Sequence, residues 1–336
     1  MINKAIIIES LKQIIERKSG QDIIPLGTVT SIIIQEGGVV ACVIEMYNTE
    51  LITEELRHRC QHTIQSIPGV SKATVTIIHH KHIKTQKEKM NISGVKNTII
   101  IASGKGGVGK STVALNIALS LVRQHYNVAI VDADIYGPSI PKMLDAETLK
   151  PTFKENKILP IKKYGLHSMS IGFFLNKDQA VIWRGPMLTK ALYKLLLETQ
   201  WSNIDYLIID TPPGTGDIHL SLMESFNLTG SIIVSTPQEL SLIDVARMSD
   251  MLIRFNIPIL GIIENMSYFI YNNSKIYIFG KDSTKTLSEK LGIALLACIP
   301  IDPLISQIYN YNDPIILGKD FIKIYDNIAY SITCLF

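Results

Sequence analysis

The chain has few cysteines and little net charge of either sign. Its 336 residues hold four cysteines, Cys42, Cys60, Cys298 and Cys334, far apart and without a C-x-x-C. That excludes a disulfide framework and predicts unpaired, mostly buried thiols in a reducing cytoplasm. A formal net charge of +3 leaves no basic footprint for nucleic acid or an anionic membrane. No apolar run reaches the roughly 18 residues of a membrane span. The first 18 residues carry only three consecutive isoleucines before Glu9, too short for a secretory signal. Alanine is scarce, and isoleucine and asparagine are frequent, which reads as base-composition drift. No internal repeat is visible. The expectation is a soluble, cytoplasmic protein without nucleic-acid or membrane partners. Its length suits about two domains.

The rest of the chain is arranged around one stretch. An apolar run at 99–101 closes on Ala102 and Ser103. It leads into Gly104-Lys105-Gly106-Gly107-Val108-Gly109-Lys110-Ser111-Thr112, a match to G-x-x-x-x-G-K-[ST]. Val113, Ala114, Ile117, Ala118 and Leu121 then recur at helical spacing. A glycine-rich loop between a buried strand and a helix is a phosphate-binding loop. Glycines let successive N–H groups wrap a polyphosphate, and the helix start adds its positive end. Lys110 reaches the β- and γ-phosphates of ATP, and Ser111 places its hydroxyl on Mg²⁺.

Residues 1–80 read as a small α+β domain. Ile7, Leu11, Ile14 and Ile15 share a helical face. Strands at 29–35 and 39–46 flank Glu36-Gly37-Gly38, a hairpin signal. A helix over 51–67 puts Leu56, Cys60 and Ile64 on one side, Pro68-Gly69 stops it, and 70–78 alternates as a strand. Residues 81–96 are basic and polar and read as a linker. His79, His80 and His82 are close enough to hold a metal, but a solvated linker accounts for them better.

Residues 97–336 form the larger domain. Strands expected at 98–102, 128–132, 166–171, 206–210, 231–235, 259–263 and 293–299 alternate with helical patterns. Their near-continuous apolar character predicts an α/β fold: a mostly parallel sheet with helices on both faces. Two strands end in carboxylates. Asp132-Ala133-Asp134 closes one and opens the turn-rich Ile135-Tyr136-Gly137-Pro138-Ser139. Leu207-Ile208-Ile209-Asp210 has the form of a Walker B strand, so Asp210 is a candidate Mg²⁺ ligand. Thr211-Pro212-Pro213-Gly214-Thr215-Gly216-Asp217 follows, a stiff loop suited to sensing the γ-phosphate. Ligands of open α/β sheets bind beyond such strand ends.

These motifs carry a family resemblance. Lys105 gives the K-G-G-x-G-K-[ST] variant of the loop, which resembles the MinD, ParA and nitrogenase-iron-protein ATPases. Residues 132–139, 210–217, Trp183-Arg184-Gly185-Pro186-Met187, Ser235-Thr236-Pro237-Gln238 and Glu264-Asn265-Met266-Ser267 resemble the Mrp/ApbC iron–sulfur carrier branch. Leu26-Gly27-Thr28-Val29 and Ile67-Pro68-Gly69-Val70 are similar to that branch's N-terminal domain. There the family usually has a cysteine in the loop that here reads Tyr47-Asn48-Thr49-Glu50.

The resemblance implies a homodimer that hydrolyses ATP slowly and passes iron–sulfur clusters to apo-proteins. It implies that Lys105 crosses the interface to the partner's ATP, that Asp134 orients the attacking water and that Asn265 hydrogen-bonds the adenine. It also implies a [4Fe–4S] cluster held by one C-x-x-C from each subunit. At those positions this chain has Tyr271 and Ser274, and neither is a thiolate. Cys298 and Cys334 are expected to be small buried hydrophobes instead. Two other readings stay open. One is a MinD/ParA-like spatial organiser, whose C-terminal helix would present Phe321, Ile324, Tyr325, Ile328, Ile332 and Leu335 to a membrane. Its polar face lacks a basic stripe, which favours core packing. The other is an ATP-dependent scaffold without cargo.

Overall fold

The structure is a computed structural model, described over residues 3–15, 22–23, 27–35, 37–46, 53–79, 89–175, 185–303 and 318–336. The chain divides into two compact units, Met1–Gln86 and Lys87–Phe336.

In the first unit, helix α1 (Lys4–Lys12) precedes strands β1 (Gly27–Gln35) and β2 (Val39–Met46). Helix α2 (Glu54–Gln65) and strand β3 (Lys72–His79) complete it. The sheet order is β1-β2-β3, with the first pair antiparallel and the second parallel. Alternate residues of β2, Val40, Cys42, Ile44 and Met46, face Ile7 and Leu11 of α1 and Leu56, Cys60 and Ile64 of α2 in one core. Thr53 sets the start of α2 later than the apolar spacing suggests, because its side chain accepts the Leu56 N–H at 3.1 Å. Helix α1 ends before Ile15, which is 55 % exposed and not part of the apolar face. The 47–50 loop and residues 80–88, with His80 and His82, lie outside the described residues.

The stretch read as a linker extends less far than its composition suggests. Met90 N–H donates to Ser225 O at 2.7 Å, Met90 O accepts from Asn227 at 3.0 Å, and Ile92 is buried. Residues 89–94 thus belong to the second unit, whose first strand begins at Val95.

That unit is built on eight strands in the order β15-β12-β11-β4-β10-β5-β9-β8. They are β4 (Val95–Ala102), β5 (Val128–Asp132), β8 (Ile161–Lys163), β9 (Leu166–Ser170), β10 (Ile204–Asp210), β11 (Gly230–Ser235), β12 (Ile259–Glu264) and β15 (Leu295–Cys298). All neighbours run parallel except β8 against β9. Helix α3 (Lys110–Arg123) follows β4, and the short α4 (Ile140–Met143) follows β5. Then come α5 (Gly185–Tyr193), α6 (Asp217–Ser225), α7 (Glu239–Arg254), α8 (Ser283–Leu291) and α9 (Lys319–Thr333). Two small hairpins stand apart from the sheet, β6 (Thr152–Lys154) with β7 (Lys157–Leu159), and β13 (Phe269–Tyr271) with β14 (Ser274–Ile276).

Every residue of β5, β9 and β11 is buried, as strands covered on both faces require. Helix α3 is buried along most of its length because α9 covers the side that the sheet leaves open. Phe321, Tyr325, Ile328 and Ile332 join the same core as Val113, Ile117 and Leu121. Arg123 pairs with Asp326 at 2.7 Å across this contact. Most of the apolar face of the C-terminal helix is thus spent inside the protein; of the six residues named for it, Leu335, beyond the helix end, is exposed, as are Tyr330 and Phe336 beside them. Among the described residues no helix is long and apolar enough to cross a membrane.

Two expectations about thiols need correction. Cys42 and Cys60 are buried, which pushes their thiols up to about 11 and about 12. Cys298 and Cys334 are exposed instead of buried. Cys298 ends the edge strand β15 and Cys334 caps α9, both places where the core stops.

Candidate functional site

The parallel register sets the carboxyl ends of β4, β5 and β10 side by side: Asp210 lies opposite Asp132 and opposite Ile101. The loop leaving β4 therefore arrives next to both carboxylates. Gly107 and Gly109 take φ of +81°, a backbone that a side chain disfavours, and Gly109 occupies the N-cap of α3 in this conformation. A Cβ on Gly109 would also collide with the Asn265 amide. No side chain caps α3, so the N–H groups of its first turn are left for a ligand.

Residues 105–112 line a cleft of about 420 Å³ with Ser103, Asp134, Ser139, Lys142, Met143 and Pro213. At its floor the Lys110 ammonium is ion-paired with Asp210 Oδ1, both side chains being almost wholly buried. The other Asp210 oxygen, Oδ2, is buried without a hydrogen-bond partner among the described residues. A hard divalent cation takes oxygen ligands, so Asp210 Oδ2 and the Ser111 hydroxyl fit Mg²⁺. Such an ion would supply charge neutralisation on the phosphate oxygens.

Asp134 is half-buried on the cleft wall, and its Oδ1 accepts the Gly137 N–H at 3.3 Å. Desolvation raises its pKa, and the Lys110 charge opposes that shift. Asp132 does not line the cleft. It is fully buried and holds the loop that follows: Oδ1 accepts Asp134 N–H at 3.2 Å. Its Oδ2 accepts Ser139 N–H at 2.9 Å, Ile140 N–H at 3.1 Å and Ser170 Oγ–H at 3.2 Å. Burial, and then the facing Asp210, push its carboxyl up to about 7.

Of the residues singled out in the sequence, Gly104 lies behind the cleft against Asp244 of α7. Lys105 is exposed on the cleft rim with no ion pair among the described residues. Asn265 is buried and does not line the cleft; its Nδ2 donates to Val108 O at 2.8 Å and braces the loop from beneath. Trp183 and Arg184 lie outside the described residues. The sequence reading did not single out Lys142, Ser170 or His219. The first two belong to no motif, and His219 looks like any helix residue.

His219 of α6 is fully buried, and neither ring nitrogen has a partner among the described residues. Burial, then the charge of Lys110, hold it neutral and lower its pKa from 6.5 to about 4. Between these values the folded chain binds fewer protons than the unfolded one. The stability is therefore present above pH 6.5 and is lost as pH falls toward about 4, by about 3 kcal/mol in all. Denaturant unfolding of wild type and His219→Leu should show the difference between them shifting by about that amount from pH 7 to pH 4. Parallel pH dependences would contradict it.

Tyr271 and Ser274 sit away from this cleft, as the facing pair that closes the β13–β14 hairpin. Asn272 and Asn273 between them take φ of +48° and +58°, the backbone of a two-residue hairpin turn. Tyr271 is 60 % exposed and Ile270 55 %. The hairpin base is fixed to the body by Ser267 N–H to Ile299 O at 2.8 Å and Ile301 N–H to Tyr268 O at 2.7 Å. A phenol and an alcohol do not supply the thiolates of an iron–sulfur cluster. Among the described residues no group of three or more His, Cys, Asp or Glu side chains is placed to hold a metal ion. The donor set at the hairpin does not fit a cluster.

Known proteins place this geometry in a lineage. Residues 94–333 match the family model described as ParA: NUBPL iron-transfer P-loop NTPase. An iron–sulfur cluster carrier protein of Rickettsia conorii is 46 % identical over 285 residues, spanning 84 % of this chain and 86 % of that one. The protein of that name from Escherichia coli K12 is 41 % identical over 283 residues, with 82 % and 77 % covered. Among solved structures, the nucleotide-binding protein of Archaeoglobus fulgidus in complex with ADP superposes with a TM-score of 0.61 at 33 % identity. It covers 68 % of this chain and 92 % of that one. The MinD cell-division ATPase of Pyrococcus furiosus, at 20 % identity, shares the fold with a TM-score of 0.52 over 71 % and 99 %. With its phosphate loop, paired strand-end carboxylates and this lineage, the chain belongs to the iron-transfer P-loop NTPases of the ParA/NUBPL type, the family of the iron–sulfur cluster carrier proteins.

Proposed function

We propose that the chain binds Mg·ATP in the cleft over α3 and hydrolyses it slowly as a homodimer, in the cluster-carrier branch of its family but without the hairpin thiolates. The observation that carries the nucleotide half is the buried Lys110–Asp210 pair with one carboxylate oxygen left over. Lys110 and the loop N–H groups hold the phosphates, and Ser111 and Asp210 hold the ion. Asp134 orients the attacking water, and Lys105 reaches the partner's nucleotide. Phosphoryl transfer is catalysed mainly by fixed positive charge on the phosphate oxygens, so a lysine delivered in trans ties turnover to dimer closure. Asn265, whose amide braces the loop from beneath at Val108 O, is assigned to the adenine. Recipients of any cluster would be apo iron–sulfur proteins.

A spatial organiser of the MinD kind needs a free amphipathic helix, and the packing of α9 on α3 speaks against it. A lipid-sedimentation assay with ATP separates the two readings. The test of the mechanism is Asp134→Ala. It should keep ATP affinity in calorimetry while turnover falls about a hundredfold. Undiminished turnover, or equal turnover per subunit in an enforced monomer, would overturn the assignment.

A further inference from the structure

Among the described residues three lysines line the cleft, Lys105, Lys110 and Lys142. They are not equivalent. Lys110 is ion-paired with Asp210 at the cleft floor. Lys105 and Lys142 are exposed and form no ion pair among the described residues. Asp134 places a further carboxylate on the wall. One free lysine balances Asp134, and only the second gives the cleft the excess positive charge that a polyphosphate requires. If Lys105 serves the partner's nucleotide, the cation left to join Lys110 on the chain's own nucleotide is Lys142.

Lys142 is held where it can act. It sits on α4, whose first residue gives its N–H to Asp132, as does Ser139 just before it. Ser170, from the neighbouring strand β9, fills the remaining approach to that carboxylate oxygen. The same carboxylate takes the Asp134 N–H. One buried group therefore fixes both ends of the loop that runs from Asp134 to α4, the helix that carries Lys142. We propose that Lys142 is a binding residue for the terminal phosphate of its own subunit's nucleotide, with Asp132 and Ser170 as positioning residues that hold it at the cleft. The proposal rests on the reading of the cleft as an ATP site.

The experiment is calorimetry of Mg·ATP and Mg·ADP on the full chain at two salt concentrations, for wild type, Lys142→Ala and Lys142→Arg. Lys142→Ala should weaken ATP about tenfold, ADP less, and flatten the salt dependence of ATP affinity. Lys142→Arg should retain most of the wild-type affinity. Unchanged ATP affinity in Lys142→Ala overturns the proposal. So does an equal loss of ATP and ADP with the salt dependence intact, which would mark a merely structural lysine. A wild type that takes no ATP would overturn the proposed function as well, so the two failures are distinguishable. For the positioning residues, Asp132→Asn should speed amide exchange at Ser139 and Ile140 and weaken ATP in the same sense. Ser170→Ala removes one hydrogen bond and is the milder variant to use if Asp132→Asn does not fold. Unchanged exchange and unchanged ATP affinity would remove Asp132 and Ser170 from the account.

Discussion

After anaerobic reconstitution with iron and sulfide, the double variant Tyr271→Cys, Ser274→Cys should hold about four irons per dimer, where the wild type holds little or none. The two positions already face each other across the hairpin, so two thiols need no new backbone to converge. In the proposed homodimer a two-fold axis would bring a second pair, and four thiolates complete a [4Fe–4S] ligand set. The hairpin base is tied to residues 299 and 301, so the substitutions change the tip alone. Facing cysteines can also oxidise to a disulfide, so the reconstitution starts from reduced protein. A variant that stays free of iron would show that the loop has lost the shape of the site as well as its thiolates. The cargo-free scaffold reading would then gain.

Lys110→Ala should abolish ATP binding and also lower stability. The lost cation accounts for the first effect. The second arises because Asp210, with no exposed surface, keeps a buried charge without its partner, at a cost of about 3–5 kcal/mol. Adding Asp210→Asn removes that charge. The double variant should melt closer to wild type and still bind no ATP, which separates the ligand contact from the folding defect. Calorimetric titration and thermal melting of the three proteins read both effects. A folded Lys110→Ala chain that binds ATP like the wild type would contradict the phosphate-loop assignment.

The strands around the cleft were legible because a strand buried on both faces leaves a continuous apolar run. The loop at 104–112 was legible because its glycines and Lys110 sit at fixed offsets. The β8 strand was not, since three residues show no period. It returns into β9 through Tyr164 and Gly165, both at positive φ. The turn Asn272-Asn273 hid the β13–β14 hairpin in the same way. The carboxylates at 132, 134 and 210 could be placed at strand ends from sequence. Their division of labour could not, because it depends on Ser170, 38 residues away in the chain, and on the Lys110 contact with Asp210. The exposure of Cys298 followed from β15 lying at the sheet edge, a matter of strand order.

In the proposed reading an intact nucleotide site is combined with a hairpin, away from the cleft, that lacks thiolates. This combination is tested most directly by counting nucleotide and iron on one sample of wild-type dimer after anaerobic reconstitution in the presence of Mg·ATP. The account predicts nucleotide bound at each subunit and iron near zero. About four irons per dimer, retained when residues 271–274 are replaced by glycines, would contradict it.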